Sequence, residues 1–207
     1  MSVGSCGDIC RLEANRYQAA RTALARAFFD YNLMQYAAPD ARRRGPGVAS
    51  LYGALLSDSF RWGEVFVTAD VVGVACWLPP EKSGISFARQ VRAGMLALPF
   101  RFGLGGFRRL LAYDAIAAEM HHAHAPMAHW YLSAIGVEPD HQGKGIGGAL
   151  MRPVLERADA AHLPCYLETH RDSNVRMYER HGFEVCQKAN VPGHPVPVWA
   201  MLRKPRS

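Results

Sequence analysis

The chain has 207 residues, 49% hydrophobic and 20% charged, with a formal net charge of +6. That length and balance suit one globular domain with a buried core and exclude a disordered or fibrous chain. The 24 basic residues are scattered, Arg42-Arg43-Arg44 being the one tight run, and no aromatic-interleaved basic motif occurs; nucleic acid is therefore not expected as a partner, and the charge reads as attraction of a small anionic ligand.

The most apolar region, Val91 to Phe107, is interrupted by Arg92, Pro99 and Arg101 and falls short of the ~18 apolar residues of a membrane span, so no membrane partner is expected. Cys6, Cys10, Cys76, Cys165 and Cys186 are an odd set without paired metal-ligand spacing, and no secretory leader is read at the N-terminus. The expectation is a cytoplasmic protein with reduced thiols and no metal.

In chain order, Cys10 to Glu13 reads as a short strand. Asn15 is the expected cap of a helix running to about Tyr31, with Tyr17, Ala20, Leu24, Ala27 and Phe28 on one face. The aromatic-rich end of this segment, through Tyr31 and Tyr36, breaks at Pro39. A second helix is expected over Val48 to Ser59, then two strands, Trp62 to Thr68 and Val71 to Leu78, joined by Ala69-Asp70 and stopped by Pro79-Pro80. A long helical insertion, Ser86 to Met120, is expected to break at Pro99 and at Gly103 to Gly106; it is either a cover for a pocket or a packing layer. His121, His122, His124 and His129 cluster at its end, where imidazoles suit the helix dipole. No carboxylate or cysteine pair completes a metal site there, and His129 or His122 is a candidate base near substrate.

His129 to Val137 reads as a buried strand, followed by four glycines in six residues, Gly143 to Gly148, and then a helical pattern to about Ala161. The first turn of a helix leaves backbone N–H groups unpaired at the positive end of the peptide dipoles, and residues without Cβ let them approach phosphate oxygens closely. This stretch is thus a cradle for a nucleotide-like ligand. A strand from Pro164 to Thr169, a short helix from Asn174 to Arg180 ended by Gly182, and strands at Phe183 to Lys188 and Val196 to Leu202, either side of the proline-rich Val191 to Pro195, complete the chain.

Gly143-x-Gly145-x-x-Gly148, with Glu168 at about the ~20-residue offset of a ribose-binding acid, satisfies the dinucleotide fingerprint. Against it, five residues including Pro139 separate strand from glycine, and no run of alternating strands and helices surrounds the motif. The competing pattern, Gln142-x-x-Gly145-x-Gly147, also accounts for Asn174, Tyr178 and Gly182-Phe183 downstream.

Val137-x-Pro139-x-x-Gln142-Gly-Lys-Gly145-Ile-Gly147, followed by Leu167-Glu168-Thr169, Asn174, Tyr178-Glu-Arg180 and Gly182-Phe183, resembles the acetyl-CoA core of the GNAT N-acetyltransferase superfamily. Over about residues 128 to 205 the match is most similar to puromycin N-acetyltransferase-like members, through Asp140-His-Gln-Gly-Lys-Gly, Tyr166-Leu-Glu-Thr169 and Met201-Leu-Arg-Lys-Pro205; the first half is similar in layout alone. The resemblance implies an α/β fold: a strongly twisted mixed sheet flanked by helices, its central parallel strands splayed. It implies one acyltransferase domain over 1–207, with an acetyl-CoA core at about 128–205 and acceptor-site helices at about 15–60 and 84–125.

It further implies that Gln142 and the N–H groups of Gly143, Lys144, Gly145, Ile146, Gly147 and Gly148 meet the pyrophosphate, with Lys144 facing either phosphate or solvent. The backbone of Ala134, Ile135, Gly136 and Val137 would then pair with the pantetheine arm, and Asn174 would lie near it. Tyr31, Tyr36 or Asp30 would face the acceptor. Thioester aminolysis needs an amine held against a carbonyl, a proton taken from it, a stabilised oxyanion and a protonated thiolate. Tyr178 is assigned as general acid and Glu168 as base or substrate carboxylate. The expected activity is acetyl transfer from acetyl-CoA to a small-molecule primary amine, antibiotic- or aminonucleoside-like, by a monomer or homodimer. Two other readings stay open: a CoA-binding regulator without turnover, and a dinucleotide-binding protein.

Overall fold

The computed structural model describes residues 8–84, 87–191 and 196–206. Cys6, Ser86 and residues 192–195, which carry parts of the expectations above, lie outside them. Among the described residues one sheet has the order β1-β2-β3-β4-β5-β7-β6, built from β1 Ile9–Arg11, β2 Glu64–Thr68, β3 Gly73–Leu78, β4 Trp130–Val137, β5 Cys165–Thr169, β6 Glu184–Asn190 and β7 Pro197–Arg203. β4 and β5 pair in parallel and every other neighbouring pair is antiparallel. The helices are α1 Tyr17–Phe28, α2 Asn32–Ala37, α3 Ala41–Trp62, α4 Phe87–Ala93, α5 Leu98–His124, α6 Ile146–Ala160 and α7 Asp172–Glu179.

Period-2 alternation of the strands sorts the apolar side chains into two cores. On one face Val67, Val74, Tyr166 and Val198 pack with Leu24, Leu56 and Leu110 of α1, α3 and α5. On the other, Trp77, Leu132, Leu167 and Met201 pack with Leu150 and Val154 of α6 and Val175 of α7. The helices before β4 thus build one layer, and those after it build the other. No helix among the described residues is long and apolar enough to cross a membrane.

Several boundaries differ from those expected. Asn15 is exposed and caps nothing; α1 begins at Tyr17 after a 3-10 turn. Arg16 fixes that entry instead, donating to the carbonyl oxygens of Thr68, at 3.0 Å, and of Ala69. The second helix starts seven residues before Val48, at Ala41, because Asp40 accepts from the Arg42 N–H at 2.9 Å and caps it. Pro46 lies inside α3, where tertiary packing overrides its local cost: beside it Gly47, without a Cβ, admits the Phe102 ring to within 2.8 Å of the Cβ position. Trp62 ends this helix rather than opening a strand, and the aromatic segment before Pro39 forms a separate short helix, Asn32–Ala37. The insertion breaks near both expected places: between α4 and α5 just before Pro99, which sits in the first turn of α5 where its missing N–H is not needed, and at Gly103, with φ +71°.

Gly63 links α3 to β2 under close contact: a Cβ there would stand 2.0 Å from the Trp77 carbonyl oxygen. Because the obstacle is backbone, relief requires moving α3 against β3. Gly63→Ala should destabilise the fold by roughly 2 kcal/mol or more, read as a lowered midpoint in urea unfolding at unchanged slope.

Candidate active site

The site is built on an irregularity in β4. Cys76 pairs with Ala134 and Trp77 with Leu132, so Ser133 is an extra residue in the ladder between β3 and β4. Its Oγ donates to the Cys76 carbonyl at 3.2 Å and lies 3.1 Å from Ser59 Oγ. A bulge bends its strand, and the parallel pairing with β5 stops just before it: Trp130 pairs with Cys165 and Tyr131 with Tyr166, and no later pair follows. From Ser133 to Val137 the β5-facing edge of β4 is left without a ladder partner among the described residues.

Two cavities open at this split. The first, of about 530 Å³, runs along the end of β4 to the glycine loop and α7. Gly143 and Gly145 have φ of +76° and +79°, and a Cβ at either would meet open space; both positions demand glycine for conformation and leave the groove clear. No side chain caps α6, so its first-turn N–H groups are available to a ligand. Arg152, Arg171 and Arg180 line this groove, and no carboxylate does among the described residues. An elongated polyanion fits such a wall.

The second cavity, of about 470 Å³, lies between the sheet and the helices α3, α4 and α5. Its charged lining is reversed: Asp114 and Glu168, with no lysine or arginine among the described residues. Phe28, Tyr31, Ile135, Asn174 and Tyr178 line both cavities and mark where they meet. There the Asn174 amide donates to Tyr31 Oη at 2.8 Å and to Thr169 Oγ1 at 3.3 Å, and Arg171 lies over the Tyr31 ring at 4.5 Å. Tyr178 is 4% exposed, and burial holds its phenol pKa well above the ordinary value, so it keeps its proton.

Glu168 is on β5, its side chain 4% exposed, on the face that carries Tyr166. Burial pushes its pKa up to about 7, against a lowering hydrogen bond from Tyr131 Oη at 2.9 Å. His121 Nδ1 stands 4.0 Å from Glu168 Oε1, but burial lowers the His121 pKa to about 4, so the contact is not an ion pair at neutral pH. The tautomers follow from the chain of bonds. The Met127 carbonyl can only accept, so His129 Nδ1 donates to it at 2.6 Å; His129 Nε2 then accepts from His121 Nε2–H at 2.7 Å. The bare nitrogen of His121, Nδ1, is therefore the one facing Glu168.

Of the residues singled out in the sequence, Ile135, Gly136, Val137, Gln142, Gly143, Gly145, Ile146, Gly147, Gly148, Asn174 and Tyr178 line the anion groove. The Gln142 amide is spent on the Val137 carbonyl at 2.9 Å, tying the loop to β4. Lys144 turns back to the Asp140 carbonyl at 2.9 Å and lines neither cavity, and Ala134 lies on the wall of the second cavity alone. Tyr31 stands at the junction. Tyr36 packs 5.5 Å from the Arg109 guanidinium and, like Asp30 and His129, lines neither cavity; His129 is instead consumed in orienting His121.

Sequence reasoning gave no site role to Arg152, Arg171, Arg180, Tyr131, His121 and Asp114. Arg152 had a signal, since it lies one turn beyond Gly148 on the same helix face. The others converge only through the fold. The dinucleotide reading fails on two counts: the sheet has one parallel pair where βαβ units would give several, and Glu168 faces the second cavity rather than the glycine groove.

Fold and groove define a class of protein first, an α/β domain with an arginine-lined groove at the gap between two splayed parallel strands. Residues 106–185 match the family model described as the acetyltransferase (GNAT) domain. The chain is 25% identical over 217 aligned residues to an uncharacterized N-acetyltransferase of Schizosaccharomyces pombe, covering 95% of this chain and 83% of that protein. Among solved structures it is similar to one described as histone acetyltransferase HPA2 and related acetyltransferase from Corynebacterium glutamicum, with TM-score 0.67 and 18% identity over 96% of both chains. It is also similar to an insect putative arylalkylamine N-acetyltransferase from the yellow fever mosquito, with TM-score 0.64 and 16% identity over 95% of this chain and 86% of that one. Residues 106–185 thus match a GNAT acetyltransferase domain, and the matches together support an acyl-CoA-dependent acetyltransferase.

The carboxyl of Glu168 has a folded pKa raised from 4.5 to about 7. The folded state therefore binds the proton more tightly than the unfolded one. This contribution to stability is fully present below about pH 4.5 and is lost as pH rises through about 7. Glu168→Gln, which removes the ionisation, should be more stable than the parent at pH 8 by roughly 2–4 kcal/mol, with the gap closing toward pH 5 in paired urea titrations.

Proposed function

We propose that the protein moves an acetyl group from acetyl-CoA to the primary amine of a small molecule, by direct attack within a ternary complex. One observation carries this reading. A groove lined by arginines and a chamber lined by carboxylates meet at a single wall of Phe28, Tyr31, Ile135, Asn174 and Tyr178. A ligand of each sign can be held there at once, with reacting ends brought together. The whole described chain serves this one activity: residues about 128–205 hold the cofactor, and helices within about 15–60 and 84–125 surround the acceptor.

GNAT-fold acetyltransferases use acetyl-CoA as co-substrate, and when bound it supplies the activated acyl group. The first-turn N–H groups of α6, the glycine loop and Arg152, Arg171 and Arg180 would hold its phosphates. The unpaired edge of β4 from Ser133 to Val137 offers N–H and C=O groups to an extended amide arm, in the manner of an added strand. Asn174 is fixed by Tyr31 and Thr169 at the junction, where it orients that arm.

Glu168 takes the proton from the incoming ammonium. A carboxyl whose pKa lies near 7 is poised to do so at neutral pH. Tyr178 gives its proton to the departing sulfur; burial keeps the phenol protonated until negative charge develops beside it. The S. pombe relative is named an N-acetyltransferase and the mosquito structure an arylalkylamine N-acetyltransferase, which supports an amine as acceptor.

The first test is thermal shift with acetyl-CoA, CoA, NADH and NADPH, each near 100-fold its Kd, where a true ligand adds roughly 2–3 kcal/mol. Stabilisation by the CoA pair alone is expected, and a response to the nicotinamides alone would overturn the cofactor. A Cβ on Gly147 would lie 3.9 Å from both Ile135 and Met177, at the groove wall and without backbone strain. Gly147→Leu should fold yet lose the acetyl-CoA shift. Tyr178→Phe should lower kcat by about 10²-fold with acetyl-CoA affinity nearly unchanged, measured by thiol release with an amine panel that includes puromycin; an unchanged kcat removes Tyr178 from the reaction.

A further inference from the structure

We propose that the acceptor is a primary monoamine on an elongated apolar body, seated ammonium-first at Glu168 with its hydrocarbon running out between Leu96 and Leu111. This deepens the function proposed above and rests on it.

The chamber of about 470 Å³ holds two carboxyls in a mostly apolar lining. Glu168 is buried, and Asp114 on α5, exposed at the chamber wall, is close enough for its charge to raise the Glu168 pKa. A cation beside Glu168 relieves the repulsion between them. With no lysine or arginine among the described lining residues, a carboxylate or phosphate on the acceptor would be buried without a partner. Much of the remaining lining is hydrocarbon from α3, α5 and the turn before α5, including Leu55, Met95 and Leu110, with Gln90 of α4 and Tyr113 among its polar members. A second ammonium of a polyamine would be stranded against this hydrocarbon, at the cost of an unpaired buried charge.

The far end is open. Leu96 and Leu111 line the chamber and are also 60% and 49% exposed, so they form its mouth. Exposed Phe100, 88%, and Leu104, 77%, continue apolar surface on the same insertion. Apolar surface on the insertion that forms the mouth is what a tail longer than the chamber would cover.

The test is kcat/KM of the full chain with acetyl-CoA, by thiol release, over n-alkylamines from propyl to decyl, with spermidine and glutamate as polar comparators. Each methylene should raise kcat/KM by about three- to fourfold, the equivalent of ~0.8 kcal/mol per buried CH2, and both polar amines should be poor. The wild type should prefer decylamine to 1,10-diaminodecane, and Leu96→Glu, which puts a carboxylate at the mouth, should reverse that order. A flat chain-length series, or spermidine or glutamate as best substrate, overturns the apolar acceptor while leaving acetyl transfer to amines standing. Acetyl-CoA binding without turnover of any amine overturns the transfer reading itself.

Discussion

One extra residue in a strand governs the rest of this molecule. Ser133 is unmatched in the ladder with β3, and just before it β4 gives up its pairing with β5. The neighbouring elements are arranged to hold that geometry. Ser133 and Ser59 tie the bulge to β3 and α3, while Gly63 lets the end of α3 lie directly on the Trp77 carbonyl. Gly136, where a Cβ would meet Ala27 at 2.9 Å, lets α1 close down on the bent half of β4. The bulge also switches the alternation of the strand: Tyr131 and Ala134, three residues apart, face the same core. Tyr131 is thereby aimed at Glu168 while Ile135 and Gly136 reach the groove.

The split then separates charge. Residues that follow β4 in the chain furnish arginines and helix N–H groups on one side, and the insertion before it furnishes Asp114 and apolar walls on the other. Neither set alone explains a chemistry. Together they give opposite potentials either side of a neutral wall that contains a buried phenol. The net charge of +6, uninformative as a total, becomes meaningful once three of the arginines converge on one groove.

The sequence made the second half of this arrangement legible and the first half much less so. The glycine loop works through backbone, so its function is written in four closely spaced residues with little else required. Asn174 and Tyr178 sit one turn apart and are read from spacing alone. By contrast, the second cavity is assembled from α3, α4, α5 and β5, separated by more than a hundred residues, and no local pattern announces that Asp114 and Glu168 share a space. The helix ends misread in the first half failed for the same reason. Arg16 and Gly47 are placed by partners on distant strands and helices, which outweigh the capping and breaking tendencies of Asn15 and Pro46.

The histidine cluster has a structural part apart from the base that the sequence suggested at His129 or His122. Burial lowers the proton affinity of His121 and His129, and their bonds run toward the Met127 carbonyl. His121 lies flat against Tyr166, with ring centroids 4.5 Å apart, and His129 and Tyr131 close around them. The cluster is a neutral aromatic wall. It withholds water and countercharge from Glu168, and that deprivation is what moves a surface-type carboxyl into the range of a base that works near pH 7. The same burial makes the ionised protein less stable than one with an amide in that place; under the proposed reaction the histidines act by helping to bury Glu168 rather than through any proton they carry.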